Sequence, residues 1–378
     1  MKSFGEILKE LEEKGNLRKL PSNIQSGSEY LDFSSNDYLG LAKKWKMFMP
    51  EFQERFSDYG FSSSASRLLS SRQEIFLRLE DYLLTLYGKP ALLFNSGYHA
   101  NVGVIGALAS LPSTLFVCDK LVHASIIDGL RISGAEFKRF PHNDLNALTR
   151  ILDKESAKYE RIIIVAESIY SMEGDISPIK EIVKLKNNYS NLWLYLDEAH
   201  AFGVRGKKGL GIAEEFNVLK EIDFLIGTFG KAAASAGAFV ITDTDVKEYL
   251  INSSRSFIFS TALPPINVAW SLFMIEKLID MKPQRERLKE ISLEFKKFIE
   301  SFTDEINPSQ SQIIPLITGN SKKALEIASI LKDKFKIIAL PIRRPTVPPG
   351  KECIRFSLSS SFSQSVIEYL EESLSSIL

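Results

Sequence analysis

An acid, an imidazole and an amine stand at the ends of two apolar runs. Leu192-Trp193-Leu194-Tyr195-Leu196 leads into Asp197-Glu198-Ala199-His200, and Phe224-Leu225-Ile226-Gly227 leads into Thr228-Phe229-Gly230-Lys231. Desolvation at the end of a buried strand lowers a lysine's pKa enough for its amine to form a Schiff base with an aldehyde. An aspartate closing a second strand keeps a pyridine nitrogen protonated, which turns such a ring into an electron sink. One group that uses both is pyridoxal 5′-phosphate. The run Ala232-Ala233-Ala234-Ser235-Ala236-Gly237 is built from small residues and leaves room for a ring beside the amine.

Three further places have chemistry to offer, each with a plainer reading beside it. Asn95-Ser96-Gly97-Tyr98 falls between a strand and a helix, so the amides of Gly97 and Tyr98 point out of a helix N-terminus toward an anion such as a phosphate. A simple strand-to-helix turn uses the same residues. His123 follows the strand that ends at Cys118, on the rim where open α/β sheets bind ligands; it either stacks on an aromatic ring or caps the next helix. Arg355 lies on the alternating strand Cys353-Ile354-Arg355-Phe356-Ser357-Leu358. Its planar fork matches a carboxylate, from an amino-acid substrate or from a structural salt bridge.

Other chemistries lack their parts. Asp197-Glu198-Ala199-His200 matches a helicase-like acidic box, but Gly227-Thr228-Phe229-Gly230-Lys231-Ala232 has the wrong spacing for a phosphate loop and lacks its metal-binding hydroxyl. The four histidines, His99, His123, His142 and His200, show no paired ligand spacing, so no metal site is expected; His142 reads as a turn residue. No Gly-x-Ser-x-Gly elbow is present. Lysine plus arginine equals aspartate plus glutamate at 47 each, which argues against nucleic acid or an anionic membrane as partner. The two cysteines, Cys118 and Cys353, lie far apart in apolar runs, and no apolar run approaches a membrane span. A cytoplasmic protein is the expectation.

The elements that must position these residues alternate. Helices at 75–87, 100–108, 125–132 and 145–152 interleave with strands at 91–94, 114–118, 136–140 and 161–166, and strands at 192–196, 224–226 and 238–242 complete the series. Buried apolar strands between helices predict an α/β fold with a mostly parallel sheet covered by helices. The expected organisation is an N-terminal arm over 1–45, a large cofactor-binding domain over 46–263, and a smaller C-terminal α+β domain over 264–378. The last begins at Pro264-Pro265 with one long helical region, 267–299.

From Leu31 to Phe362 the chain resembles the α-oxoamine synthases, fold type I pyridoxal-phosphate enzymes that condense an amino acid with an acyl thioester and release carbon dioxide. The segments that carry the likeness are Phe33-Ser34-Ser35-Asn36-Asp37-Tyr38-Leu39-Gly40-Leu41, His123-Ala124-Ser125-Ile126-Ile127-Asp128-Gly129, Ser171-Met172-Glu173-Gly174-Asp175 and the two motifs above. The resemblance implies that Lys231 carries the cofactor, Asp197 pairs with its ring nitrogen, His200 meets its phenolic oxygen and His123 stacks on its ring. It also implies that Ser171 touches the cofactor, that Gly97, Tyr98 and Thr228 hold its phosphate, and that Thr261 reaches the phosphate of a partner subunit in a homodimer with shared active sites.

Within the family, Ile342-Arg343-Arg344-Pro345-Thr346-Val347-Pro348 is most similar to members that join L-alanine to a pimeloyl thioester, on coenzyme A or an acyl carrier protein, in biotin synthesis. Arg18, Asn36, Thr346 and Arg355 are then the substrate-binding candidates. Sister enzymes use glycine with acetyl-CoA or serine with a long-chain acyl-CoA, and a cofactor-binding protein without synthase activity is the reading from another class. The chain departs from the family at Phe61-Ser62-Ser63-Ser64-Ala65-Ser66-Arg67-Leu68-Leu69-Ser70-Ser71, where glycines are usual, at Gln73 and Phe76, near a missing histidine, and at Ser361-Phe362. Serine in place of glycine restricts the backbone, so the acyl-entry cleft is expected to differ in shape.

Overall fold

A computed structural model describes residues 2–18, 20, 30–71, 73–303 and 306–378. The described strands, in chain order, are β1 (Leu31–Asp32), β2 (Ala91–Phe94), β3 (Thr114–Asp119), β4 (Glu136–Phe140), β5 (Arg161–Glu167), β6 (Leu192–Asp197), β7 (Phe224–Thr228), β8 (Ala238–Ile241), β9 (Ile313–Ile317), β10 (Ile337–Ile338), β11 (Leu340–Ile342) and β12 (Cys353–Ser357). They fall into two compact units, one made of 39–171 and 176–285, the other of 1–38, 172–175 and 286–378.

The first unit is built on a seven-stranded sheet in the order β2-β8-β7-β6-β5-β3-β4. The pairs from β4 to β7 are parallel, as the interleaved helices require. β8 runs antiparallel to both β7 and β2, a departure with a simple cause. Only nine residues, 229–237, join β7 to β8, too few for a helical crossover. That short connection carries Lys231. The chain steps outward from β3 to β4 and then returns to β5 on the other side of β3, which creates a topological switch point at the carboxyl ends of these strands.

Residues 162–167 of β5 and 194–197 of β6 are all buried, apolar until their last positions. Phe116, Cys118, Ile163, Val165, Tyr195, Phe224, Ile226 and Val240 share one core cluster with Val104, Ile105, Ile126 and Leu130 of the helices Gly97–Ala109 and Ala124–Ile132. Full burial of each such aliphatic or aromatic side chain contributes roughly 1.5–3 kcal/mol. Gly129 lets these two helices touch: a Cβ there would stand 3.2 Å from the Cα of Val102 and 3.3 Å from the carbonyl of Asn101.

The second unit holds the antiparallel sheet β11-β12-β9 and the two-residue parallel ladder β1-β10. The ladder ties the N-terminal segment to it, so residues 1–38 are not a separate arm. Residues 172–175 belong here as well, where Gly174, at φ +70°, accepts from the amide of Gln310. The expected boundary at 264 also moves. Helix Pro265–Ile279 packs against helix Glu74–Tyr87 in the first unit, and the long helical region splits into Pro265–Ile279 and Lys282–Glu300. Pro283 cannot continue a helix from Ile279, and Arg285 donates to the carbonyls of Leu278 and Ile279 at the break.

Candidate active site

Lys231 Nζ lies 2.8 Å from His200 Nε2. His200 is buried one turn beyond the end of β6, and Lys231 is half-buried in the β7–β8 connection. That connection is fixed by its own backbone: Phe229 donates to Gly237, Ser235 to Phe229 and Ala234 to Lys231, with Ala234 at φ +48° and Gly237 at φ +105°. The alanines after Lys231 thus form a tight turn, which needs small residues whether or not a ring lies beside them.

Asp197, buried at the end of β6, uses both carboxylate oxygens as acceptors. Oδ1 takes the amide of Ala199 at 2.9 Å and Oδ2 takes the side-chain amide of Asn101 at 2.9 Å. Its neighbour Glu198 turns the other way, accepting the amides of Ile212 and Ala213 at 3.0 and 2.8 Å. Burial pushes the Glu198 carboxyl up to about 7, against the lowering effect of those donors. Gly211, at φ +118°, is required beside it, since a Cβ there would stand 2.5 Å from Glu198 Oε2.

His123 caps helix Ala124–Ile132, its Nδ1 accepting the Ser125 amide at 3.2 Å. The cap uses one nitrogen and leaves Nε2 and the ring faces available. Desolvation draws the imidazole pKa below 6.5; Asp197 opposes this, Lys231 adds to it, and Asp128 opposes it.

Ser96 caps helix Gly97–Ala109 by accepting the amide of His99, so the amides of Gly97 and Tyr98 lie in the first turn. A Cβ on Gly97 would stand 3.9 Å from that of Thr228, which puts Thr228 beside this helix start. The Thr228 hydroxyl donates to the Gly237 carbonyl at 3.0 Å and accepts the Gly230 amide at 3.2 Å. Tyr98 sends its hydroxyl to Asp128 at 2.9 Å, so what it offers an anion is its amide. Asn95 donates to the carbonyl of exposed Thr261 at 2.6 Å, which holds Thr261 close to the same helix start. Ser171 is half-buried, four residues past β5.

The substrate candidates lie in the other unit and form two pairs. Arg355, buried on β12, donates to Ser357 Oγ at 2.6 Å and to Asn36 Oδ1 at 3.2 Å; Asn36 also accepts from Tyr38. Arg18 donates to Thr346 Oγ1 at 3.0 Å, joining residues 328 apart in sequence. Arg343, beside them, has its pKa lowered by burial and by the Arg18 charge.

The unusual serine stretch is anchored rather than loose. Ser64 adopts φ +51°, Ser63 donates to the Leu263 carbonyl at 2.6 Å, and Ala262 donates to Ala65. Gln73 and Phe76, the residues near the missing histidine, both hold Arg67. Gln73 accepts its Nε at 2.7 Å, Phe76 lies 4.3 Å under its guanidinium, and buried Glu80 pairs with it at 2.9 Å.

Asn101, Ser125 and Tyr195 escape a motif-based reading although they connect the expected residues. Tyr195 donates to Asn101 Oδ1 at 2.5 Å, and Asn101 Nδ2 reaches both Asp197 and Ser125. The available signal is an amide immediately before the apolar helix run 102–109, four residues after Gly97 and so on the same helix face.

Residues 28–374 match the family described as aminotransferase class I and II. A curated 8-amino-7-oxononanoate synthase of Haemophilus ducreyi is 45% identical over 98% of this chain and 99% of its own length. A protein named putative 8-amino-7-oxononanoate synthase from Glaesserella parasuis is 44% identical over 96% and 97%. Among solved structures, the 8-amino-7-oxononanoate synthase of Francisella tularensis superposes with a TM-score of 0.77 at 28% identity, covering 92% of this chain and 99% of that one. Sphingomonas wittichii serine palmitoyltransferase gives 0.84 at 28%, covering 93% and 88%. With an acid, an imidazole and an amine held at the strand ends of this fold, the chain belongs to the class I and II aminotransferase family and, within it, to the 8-amino-7-oxononanoate synthases.

Proposed function

We propose that this chain condenses L-alanine with a pimeloyl thioester, with loss of carbon dioxide, to give 8-amino-7-oxononanoate, using pyridoxal 5′-phosphate. The observation that carries the reading is the pairing of Lys231 with His200 at 2.8 Å beside an Asp197 whose two oxygens both accept. A carboxylate with no proton to give is the partner a protonated ring nitrogen needs. The donor set therefore fits the cofactor. When bound, it supplies an electron sink that stabilises negative charge at the amino acid's α-carbon.

This chain's own groups do the rest. Lys231 Nζ would hold the cofactor's aldehyde and, as a free amine, would take and return a proton at the substrate's α-carbon. Asp197 keeps the ring nitrogen protonated, and His200 orients the phenolic oxygen and the lysine. The first-turn amides of Gly97 and Tyr98, with Thr228, hold the phosphate, and Ser171 adds a contact to the cofactor. His123 covers the ring. Arg355 binds the substrate carboxylate with Asn36 steadying its guanidinium, while Arg18 and Thr346 meet the acyl substrate.

The proposal includes a cytoplasmic homodimer in which Thr261 reaches the phosphate held by the second copy. Phe61, Leu69 and Phe259 are large apolar side chains exposed in the same unit, which supports a surface that a second copy covers. Among the described residues no helix is long and apolar enough to cross a membrane.

The test is product formation by the purified chain, loaded with pyridoxal 5′-phosphate, from L-alanine and pimeloyl-CoA or pimeloyl carrier protein. Glycine with acetyl-CoA and serine with palmitoyl-CoA run in parallel. Lys231→Ala should lose both turnover and the visible absorbance of the bound cofactor. Preference for another substrate pair reassigns the acyl group; a loaded protein inactive on every pair overturns the synthase reading.

A further inference from the structure

The imidazole over the ring has two possible neutral forms, and they do opposite chemistry: one presents a proton from Nε2, the other a lone pair. The surroundings of His123 decide between them. The backbone N–H of Ser125 points at Nδ1 from 3.2 Å, and an amide N–H can only donate. Nδ1 must therefore be the unprotonated nitrogen. The Ser125 hydroxyl lies 2.7 Å from the same atom and so must also donate to it.

The direction of that hydroxyl is set one residue further away. Ser125 Oγ accepts a proton from Asn101 Nδ2 at 2.9 Å, while the same nitrogen's other N–H goes to Asp197 Oδ2 at 2.9 Å. The orientation of the Asn101 amide is not arbitrary, because a carboxylate oxygen accepts and never donates. Tyr195, buried behind it, donates to Asn101 Oδ1 at 2.5 Å, an acceptor that the reverse orientation would take away. Asn101, Ser125 and Tyr195 are all buried, so each of these protons must find its partner within the group.

We propose that Asn101 is a positioning residue that, with one amide nitrogen, both aims Asp197 and, through Ser125, holds His123 as the neutral tautomer protonated on Nε2. His123 is then a hydrogen-bond donor toward the reacting groups, suited to steady a carboxylate or an acyl carbonyl, and not a base that removes a proton at Nε2. The charged groups that face it are Asp197, Lys231 and Asp128, and desolvation of the ring favours the neutral form over the imidazolium they contend over. The role assigned to the donor rests on the cofactor reading above; the tautomer does not.

The experiment is nitrogen NMR on the full chain labelled with 15N-histidine, with and without pyridoxal 5′-phosphate, the His123 signals assigned by their absence in His123→Asn. At neutral pH the parent should show a single Nε2–H tautomer with Nδ1 in the acceptor range. Asn101→Ala frees the Ser125 hydroxyl to turn away from Nδ1, so the neutral ring loses the hydrogen bond it accepts there. The His123 pKa should then rise by about 0.7 unit, the worth of one hydrogen bond. Ser125→Thr, which keeps the hydroxyl, should behave as the parent. A parent His123 protonated on Nδ1, or doubly protonated at neutral pH, overturns the proposal without needing any variant to fold. So does a folded Asn101→Ala whose His123 titrates as before. Failure of product formation would leave the NMR result standing and fall on the cofactor and substrate reading instead.

Discussion

Asp197→Asn separates what the carboxylate does for the fold from what it does for the reaction. In the parent each oxygen accepts one fixed proton, from the Ala199 amide and from Asn101 Nδ2, both at 2.9 Å. The replacement carboxamide has one oxygen and one NH2, so whichever way it turns, an N–H faces an N–H. Rotating Asn101 would relieve this only by taking its oxygen away from Tyr195, whose buried hydroxyl would then lose the acceptor it holds at 2.5 Å. One buried donor is thereby stranded, at a cost of about 1–3 kcal/mol to the cofactor-free protein. The reaction loses more, since the amide carries no charge to keep a ring nitrogen protonated. Removing one preorganised electrostatic partner of this kind costs on the order of 10²–10³-fold in kcat. Urea unfolding of the cofactor-free variant measures the first quantity and turnover of the loaded variant the second. The reasoning fails if the loaded variant turns over within about threefold of the parent, well inside that range; it fails in its structural half if the unfolding midpoint does not move.

Three other outcomes are expected. Gly227→Ala places a Cβ 2.2 Å from the Phe239 ring, which is buried between Phe229 and Phe202 and cannot retreat; a loss of about 1–3 kcal/mol should appear in chemical denaturation, and an unchanged midpoint contradicts the packing argument. Glu198, with its folded pKa raised from 4.5 to about 7, binds its proton more tightly folded than unfolded. Its contribution is complete below 4.5 and is lost as pH rises through about 7, so the stability of the parent relative to Glu198→Gln should fall by up to roughly 3 kcal/mol across that window. A flat difference between the two proteins would show that Glu198 stays ionised throughout. Arg355→Lys keeps the charge but not the planar fork; the KM for the amino acid should rise about 10-fold or more with a smaller change in kcat, as read from initial rates, and a loss confined to kcat would place Arg355 elsewhere in the reaction.

The chemistry was legible because it sits at strand ends. Apolar runs such as 162–166 and 192–196 identify buried parallel strands from composition alone, and whatever polar residue follows them must emerge at the sheet's edge. The strand series is therefore readable, along with the placing of Asp197, His200 and Lys231 at strand ends and of Gly97 and Tyr98 at a helix start. The antiparallel β8 is readable only from the length of its connection, which is a topological fact and not a local preference. The boundaries of the two units are not legible for the same reason: two residues of β1 pair with two of β10, some three hundred positions later, and no periodicity records that.

By itself the sequence determined which groups are the candidates: an amine, an acid and two imidazoles, in a fixed order along alternating strands and helices. Only the tertiary structure decided how they are held. Asn101 becomes the junction between Asp197 and His123 because Gly129 lets two helices meet and because Tyr195 closes the back of the site. The histidine that reads equally as a cap or as a ring partner is a cap on one nitrogen and free on the other. Hydrogen-bond direction depends on which donors converge in space, and convergence belongs to the fold.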